Sequence, residues 1–286
     1  CGRPARRRGG SGWRRARASS AGCATEAFGD ALGANQVRRS MDGGQTWHVT
    51  GNPTEMEAFR VVLSPNYAVD HTLFVAGYGR MHRSTDGGNT WQALDAPGPN
   101  FDLAISPNFT TDHTLWATYR EIEGSAVRPE GGIIRSTDGG TTWIVSAGGL
   151  PGYYLTFYHD LAVEPVGGAI YVAMRDEGTG GAFPSRIYRS DNKGLRWAPQ
   201  PLLPGNATPD HVLAPASLPD LFVSAANGLY RYGSSCYEAL ADGGFEIFQH
   251  HQQRLLRSRS RSGTLRLDPP ARVRRTSRRS PAGWVK

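Results

Sequence analysis

One decapeptide, spelled four times, constrains this chain more than anything else in it. Arg39–His48 reads RSMDGGQTWH, Arg83–Gln92 reads RSTDGGNTWQ, and Arg135–Ile144 reads RSTDGGTTWI. A worn copy, RSDNKGLRWA, occupies Arg189–Ala198. The opening serines Ser40, Ser84, Ser136 and Ser190 are separated by 44, 52 and 54 residues. A second phrase keeps step with the first: RVVLSPNYAVDHTLFVAG from Arg60 and DLAISPNFTTDHTLWATY from Asp102, with fainter echoes from Asp160 and His211. Its prolines Pro65, Pro107, Pro165 and Pro215 fall 18, 16, 22 and 18 residues after Trp47, Trp91, Trp143 and Trp197. Two phrases locked in phase over several periods require a repeat architecture.

Within one period, short apolar or alternating runs are bounded by Gly, Pro, Asn and Asp, the pattern of strands joined by turns. In the third unit the reading places strand A at 102–106, strand B at 114–119, strand C at 132–136 and strand D at 142–146. No long stretch carries helical spacing of apolar residues. Four short strands in roughly 45–50 residues is the arithmetic of a β-propeller blade. The decapeptide then falls between strands C and D as a turn. Asp42, Asp86 and Asp138 are placed to accept nearby backbone N–H groups. The glycine pair after each Asp supplies positive φ without steric cost, and each Trp is large enough to bury against neighbouring blades. Geometry is needed once per blade and catalysis once per protein, so Ser40, Asp42, Gly44, Trp47, Ser84, Asp86, Gly88, Trp91, Ser136, Asp138, Gly140, Trp143, Ser190, Gly194 and Trp197 are assigned structural roles.

Ser-x-Asp-x-Gly-x-Thr-Trp resembles the BNR or Asp-box repeat of sialidases, sortilin-type receptors, xyloglucan-degrading hydrolases and photosystem assembly factors. Three copies match every fixed position; the fourth has Asn192 for Asp and Arg196 for Thr. The resemblance covers roughly residues 35–233. It implies an all-β β-propeller of four-stranded Asp-box blades, four recognisable and a fifth begun, in an incomplete ring with open strand edges. Families sharing the repeat include enzymes and binding proteins, so fold does not fix function.

Charge divides the chain. The formal net charge of +7 suggests a nucleic-acid partner, but residues 1–23 hold seven Arg and no acid. Residues 254–286 hold ten Arg, one Lys and one Asp. The body between them is acidic, with 14 basic against 24 acidic residues. The expected organisation is a disordered Arg-rich segment at 1–23, blades at 24–233 and a degraded, disordered, Arg-rich segment at 234–286. Arg without Lys, mixed with Ser, Pro, Gly and Ala, is what a GC-rich gene yields out of frame. With Cys1 opening the chain, a truncated or frame-disrupted reading is the expectation, and a phosphate-binding arm the alternative. Cys1, Cys23 and Cys236 lack metal-ligand spacing. No cofactor or metal is implied, and no apolar run is long enough to span a membrane. A secreted or cell-surface place is implied only by resemblance to extracellular members of the family.

A ligand site belongs on the rim opposite the decapeptide turns, where long connections occur. Arg120–Gly132 and Arg175–Arg186 are enlarged B–C connections, and Gly152–Asp160 is the D–A connection between them. They carry Glu121, Glu123, Glu130, Asp160, Asp176 and Glu177 beside Arg128, Arg175, Arg186, Tyr153, Tyr154, Phe157, Tyr158 and His159. The ligand-binding candidates are Arg128, Tyr153, Tyr154, Tyr158, Arg175 and Arg186, an aromatic and charged set suited to a sugar or a peptide. The favoured function is a non-catalytic binding or scaffold module for a carbohydrate or protein ligand, with self-association through open blade edges. The alternative is a xyloglucanase- or sialidase-like glycoside hydrolase. Its catalytic candidates are Glu121, Glu123, Asp176 and Glu177, of which two must lie about 5–10 Å apart. The stretch Phe59-Arg60-Val61-Val62 superficially resembles a sialidase motif, but it occupies a strand A slot, so Arg60 is read as a blade position. Asp70-His71 and Asp112-His113 recur at one phase and are read as turn residues.

Overall fold

The computed structural model describes residues 24–28, 36–42, 45–51, 53, 56–119, 131–151, 156–178, 182–215, 220–233 and 236–240. Five antiparallel sheets follow one another along the chain. The first holds β1 (Ala24–Phe28), β2 (Gln36–Ser40) and β3 (His48–Val49). The second holds β4 (Met56–Leu63), β5 (Leu73–Gly79), β6 (His82–Ser84) and β7 (Gln92–Ala93). The third holds β8 (Asn100–Ile105), β9 (Leu115–Tyr119), β10 (Gly132–Ser136) and β11 (Ile144–Val145). The fourth holds β12 (Thr156–Val163), β13 (Ile170–Asp176), β14 (Arg186–Ser190) and β15 (Ala198–Pro199). The fifth holds β16 (Pro209–Leu213), β17 (Leu221–Ala225), β18 (Gly228–Gly233) and β19 (Cys236–Ala239).

Strands pair in chain order within each sheet, and inner strands pack on inner strands of the next sheet, β1 with β4, β4 with β8, β8 with β12 and β12 with β16. This is the arrangement of propeller blades, and among the described residues the ring is not closed. Two expectations are corrected. The fifth blade is not begun and abandoned: it has four strands, because Tyr232 of β18 pairs with Tyr237 of β19. The boundary expected at 233 therefore falls inside a hairpin, and Tyr237 is buried at 8 % exposure. The two Arg-rich ends expected at 1–23 and 254–286 lie outside the described residues.

Each interface between blades has its own core. Phe74, Met81 and Leu94 meet Leu103, Phe109 and Ile134, while Trp116 and Ile133 meet Leu161, Val172, Met174 and Trp197. Alternate residues of one strand feed both sides: Leu115 and Ala117 join the first cluster and Trp116 joins the second. Successive side chains of a strand point to opposite faces, and here both faces are covered, so β9 is buried along its whole length. The outermost strands β3, β7, β11 and β15 are two residues long and exposed, which leaves little free edge for unwanted pairing.

The decapeptide forms the connection between strands C and D. In the second copy the Asp86 carboxylate accepts Ser84 Oγ at 2.8 Å, Thr90 N at 2.9 Å and Thr90 Oγ1 at 2.6 Å. Gly88 N donates to Ser84 Oγ at 2.8 Å. The arginine preceding each serine latches one blade to the next. Arg39 Nη1 donates to the Gly87 carbonyl at 2.8 Å, Arg83 Nη1 to Gly139 at 3.3 Å and Arg135 Nη1 to Lys193 at 3.1 Å. Arg189 instead pairs with Asp191 at 2.7 Å, since the fifth blade carries no such turn. The Asp-His pairs end one-turn helices, α1 (Tyr67–Asp70) and α2 (Phe109–Asp112). His71 and His113 both sit at φ 48°, and their carbonyls accept Gly87 N and Gly139 N at 3.0 Å. These bonds put the A–B and C–D turns on one rim.

Candidate functional site

Four charged or titratable side chains occupy one level of four successive inner strands. Arg60 lies opposite Ala76, Asp160 opposite Ala173 and His211 opposite Ser224. The Asp102 amide donates to the hydroxyl of Thr118, the matching residue of β9, at 2.9 Å. Register shifts next to these residues in all four strands, and β-bulges re-aim side chains in this way. The row runs toward the following blade at each step. Arg60 Nε stands 3.0 Å from Asp102 Oδ1. Asp102 Oδ2 accepts the Leu161 amide at 2.5 Å, and Asp160 Oδ2 accepts the Val212 amide at 2.6 Å. His211 Nδ1 lies 3.6 Å from Asp160 Oδ1.

Burial splits the behaviour of the two carboxylates. Asp102 is 0 % exposed and Asp160 5 % at the side chain. Desolvation pushes the Asp102 carboxyl up to about 7, against the pull of Arg60 and with a further push from the Asp160 charge. Burial also works to raise Asp160, but the nearby His211, the Arg60 charge and the Val212 amide outweigh it and hold that carboxyl below its ordinary range. Asp102 raises Arg60 in return. Environments that drive two neighbouring carboxyls apart can set up acid–base chemistry. Here the pair is sealed between blades, and one oxygen of each carboxyl is taken by a backbone amide.

The sequence singled out Arg60 and Asp160 without seeing that they belong together, and missed Asp102 and His211. The available signal was positional: Arg60, Asp102 and Asp160 each fall five residues before the proline of their phrase. The expected catalytic pair did not include Asp102, and the Asp160 side chain is 5 % exposed.

On the opposite rim, Arg175 and Arg186 are half-buried at the ends of β13 and β14. Phe157 lies opposite Arg175, and Tyr158 opposite Met174; Arg186 also lies opposite Met174. Paired residues share a face and neighbours in a strand do not, so Arg175 and Arg186 stand on opposite faces of the fourth blade. Arg175 Nη2 reaches Asp210 Oδ1 of the fifth blade at 2.9 Å. The Phe157 ring stacks on His159 at 5.7 Å, and the buried His159 Nε2 lies 3.1 Å from the Pro209 carbonyl. Tyr158 is 2 % exposed and donates its hydroxyl to the Pro151 carbonyl at 2.6 Å, which makes it a packing residue and not a ligand-facing one. Asp176 Oδ1 accepts the Gly178 amide at 3.1 Å, while Glu177 is exposed. Glu121, Glu123, Arg128, Glu130, Tyr153 and Tyr154 lie outside the described residues. Among the described residues no cluster of His, Cys, Asp and Glu is suited to a metal ion, and no helix is long and apolar enough to cross a membrane.

No protein-family description matches the chain, and no curated protein does. Among solved structures it is similar to the GH74 xyloglucanase from Xanthomonas campestris, at 16% identity and TM-score 0.55, over 73% of this chain and 34% of that one. It is similar to YCF48 bound to a D1 peptide, at 14% identity and TM-score 0.52, over 78% and 64%. A chain of a nidogen–laminin complex matches at 14% identity and TM-score 0.50, over 73% and 71%. The chain thus spans about a third of the xyloglucanase. At these identities the likeness is one of propeller fold.

Proposed function

We propose that this chain is a BNR or Asp-box type propeller segment that binds a carbohydrate or protein ligand without transforming it. The observation that supports this reading is the fate of the Asp102–Asp160 pair. Both carboxyls are buried and hydrogen-bonded, to the Leu161 and Val212 amides. A hydrolase needs two carboxyl groups open to substrate on either side of the bond it cuts. Of the loop carboxylates, Asp176 caps its own turn. The propellers of similar fold include a structure named for a bound peptide and one named for a xyloglucanase, and the burial of the Asp102–Asp160 pair supports the first kind of behaviour.

The ligand would lie on the rim opposite the decapeptide turns, contacting Arg175 or Arg186 together with Arg128, Tyr153 and Tyr154. Tyr158 is omitted because its ring is buried. An array of oligosaccharides and peptides, probed with the wild type and with Arg175→Ala and Arg186→Ala, tests the reading. At least one ligand class should be retained, and one of the two variants should weaken it by about tenfold, the loss of one charge-assisted contact. Retention that is unchanged in both variants would remove this rim from consideration.

A further inference from the structure

At the mouth of the joint between the fourth and fifth blades, on the rim assigned above to the ligand, an aromatic ring and an ion pair come together. Phe157 and Arg175 lie opposite one another in β12 and β13, so they share one face of the fourth blade. That face meets the fifth blade. Arg175 Nη2 donates to Asp210 Oδ1 at 2.9 Å, and His159 Nε2 stands 3.1 Å from the carbonyl of the neighbouring Pro209. The Phe157 ring stacks on His159, with centroids 5.7 Å apart and planes 16° from parallel. The ring is half-buried, while the Arg175 and Asp210 side chains keep 44% and 33% of their surface open.

We propose that this joint is a subsite for a neutral sugar residue, with adjacent hydroxyls held by Arg175 and Asp210 and a C–H face resting on Phe157. It rests on the binding function proposed above and narrows the ligand from a carbohydrate or protein to a neutral oligosaccharide. Charge is the first reason. The Asp210 carboxylate cancels the Arg175 guanidinium, so an incoming anion meets no net positive charge from the pair and must compete with Asp210 for it. Hydrogen-bonding capacity is the second. Each partner spends one polar atom on the other, and Arg175 Nη1 and Asp210 Oδ2 make no hydrogen bond to the described residues. A donor and an acceptor are thus left side by side. Adjacent hydroxyls satisfy both at once, one accepting from Nη1 while its neighbour donates to Oδ2. The ring is the third reason: its face is the negative side of a quadrupole and attracts polarised C–H groups. Arg186, on the opposite face of the same blade, takes no part.

The full chain is immobilised and tested for retention of neutral oligosaccharides of glucose, xylose, mannose and galactose, of acidic oligogalacturonate, and of peptides rich in Asp and Glu. The wild type should retain at least one neutral oligosaccharide and neither acidic class. Asp210→Asn keeps the side-chain shape, puts a donor where Oδ2 accepts and leaves the Arg175 charge uncompensated. It should weaken the neutral ligand about tenfold and bring in oligogalacturonate. Arg175→Gln should weaken the neutral ligand about tenfold without bringing in the acid. Phe157→Leu, which keeps apolar bulk and removes the ring face, should weaken it about fivefold. The ion pair is part-exposed, so both of its variants should fold. Retention of oligogalacturonate or acidic peptides by the wild type overturns the subsite and leaves the binding function standing. Equal neutral-sugar affinity in the wild type, Asp210→Asn and Arg175→Gln does the same. A wild type that retains nothing overturns the binding function along with the subsite.

Discussion

Replacing Asp138 by Asn turns the third decapeptide into a partial copy of the fourth, and the structure sets what that change removes. Asp138 Oδ1 accepts Ser136 Oγ at 2.7 Å, Thr141 N at 3.0 Å and Thr142 N at 2.9 Å. Oδ2 accepts Thr142 Oγ1 at 2.6 Å and Thr142 N at 3.1 Å. Asn192, in the worn copy, accepts only Ser190 Oγ at 2.9 Å and Arg196 N at 2.8 Å through its single oxygen. Asp138→Asn therefore forfeits the Oδ2 set and turns an amide toward the Thr142 donors. These bonds hold the carboxyl at about 2 against an ordinary 3.8, with the Thr142 hydroxyl the largest cause. That difference amounts to about 2.4 kcal/mol at 1.36 kcal/mol per pKa unit. The turn is exposed and water competes for the same groups, so screening reduces the loss to about 1 kcal/mol. The carboxyl is depressed in the fold, so its contribution is present above 3.8 and disappears as pH falls toward 2. Denaturant titrations at pH 7, 4 and 3 should give a deficit near 1 kcal/mol at pH 7 that shrinks at each lower pH. No deficit at pH 7, or the same deficit at pH 7 and pH 3, would refute the reasoning.

Other consequences follow from packing and backbone shape. Gly140 sits at φ +92°, and a Cβ there would meet Leu94 Cδ1 at 2.8 Å, whereas Gly168 at φ +71° has nothing within 4 Å. Gly140→Ala should cost about 3 kcal/mol and Gly168→Ala about 1 kcal/mol by thermal or chemical unfolding, because only the first adds overpacking to backbone strain. Trp116 is 2 % exposed and donates its indole N–H to the Lys193 carbonyl at 3.0 Å; Trp116→Ala should destabilise by about 3–5 kcal/mol. Arg83→Ala, which removes a part-exposed latch to the Gly139 carbonyl, should cost only about 1 kcal/mol.

The fold was legible because what builds it is repeated residue by residue. In the third unit, strand C falls at 132–136 as read, and strand B begins one residue later than read. Strand D is shorter than read, 144–145 instead of 142–146, because Thr142 spends its amide and hydroxyl on Asp138. The fourth strand of the fifth blade was illegible: its turn has no Asp, Gly pair or Trp, and only the pairing of Tyr232 with Tyr237 reveals it. The inner row was hidden for a different reason. What repeats there is a position, filled in turn by Arg, Asp, Asp and His, and identity-based comparison of repeats passes over it. The loop carboxylates and arginines were legible as a cluster in sequence, but a strand's alternation puts Arg175 and Arg186 on opposite faces.

The central claim is that the chain binds without cutting, and product formation tests it most directly. Purified protein is incubated with xyloglucan and with a sialoside, and released reducing ends or free sialic acid are followed over time. The account predicts no release above that of a heat-unfolded sample. Steady release that vanishes in Asp176→Asn or Glu177→Gln would contradict it and make the chain a glycoside hydrolase.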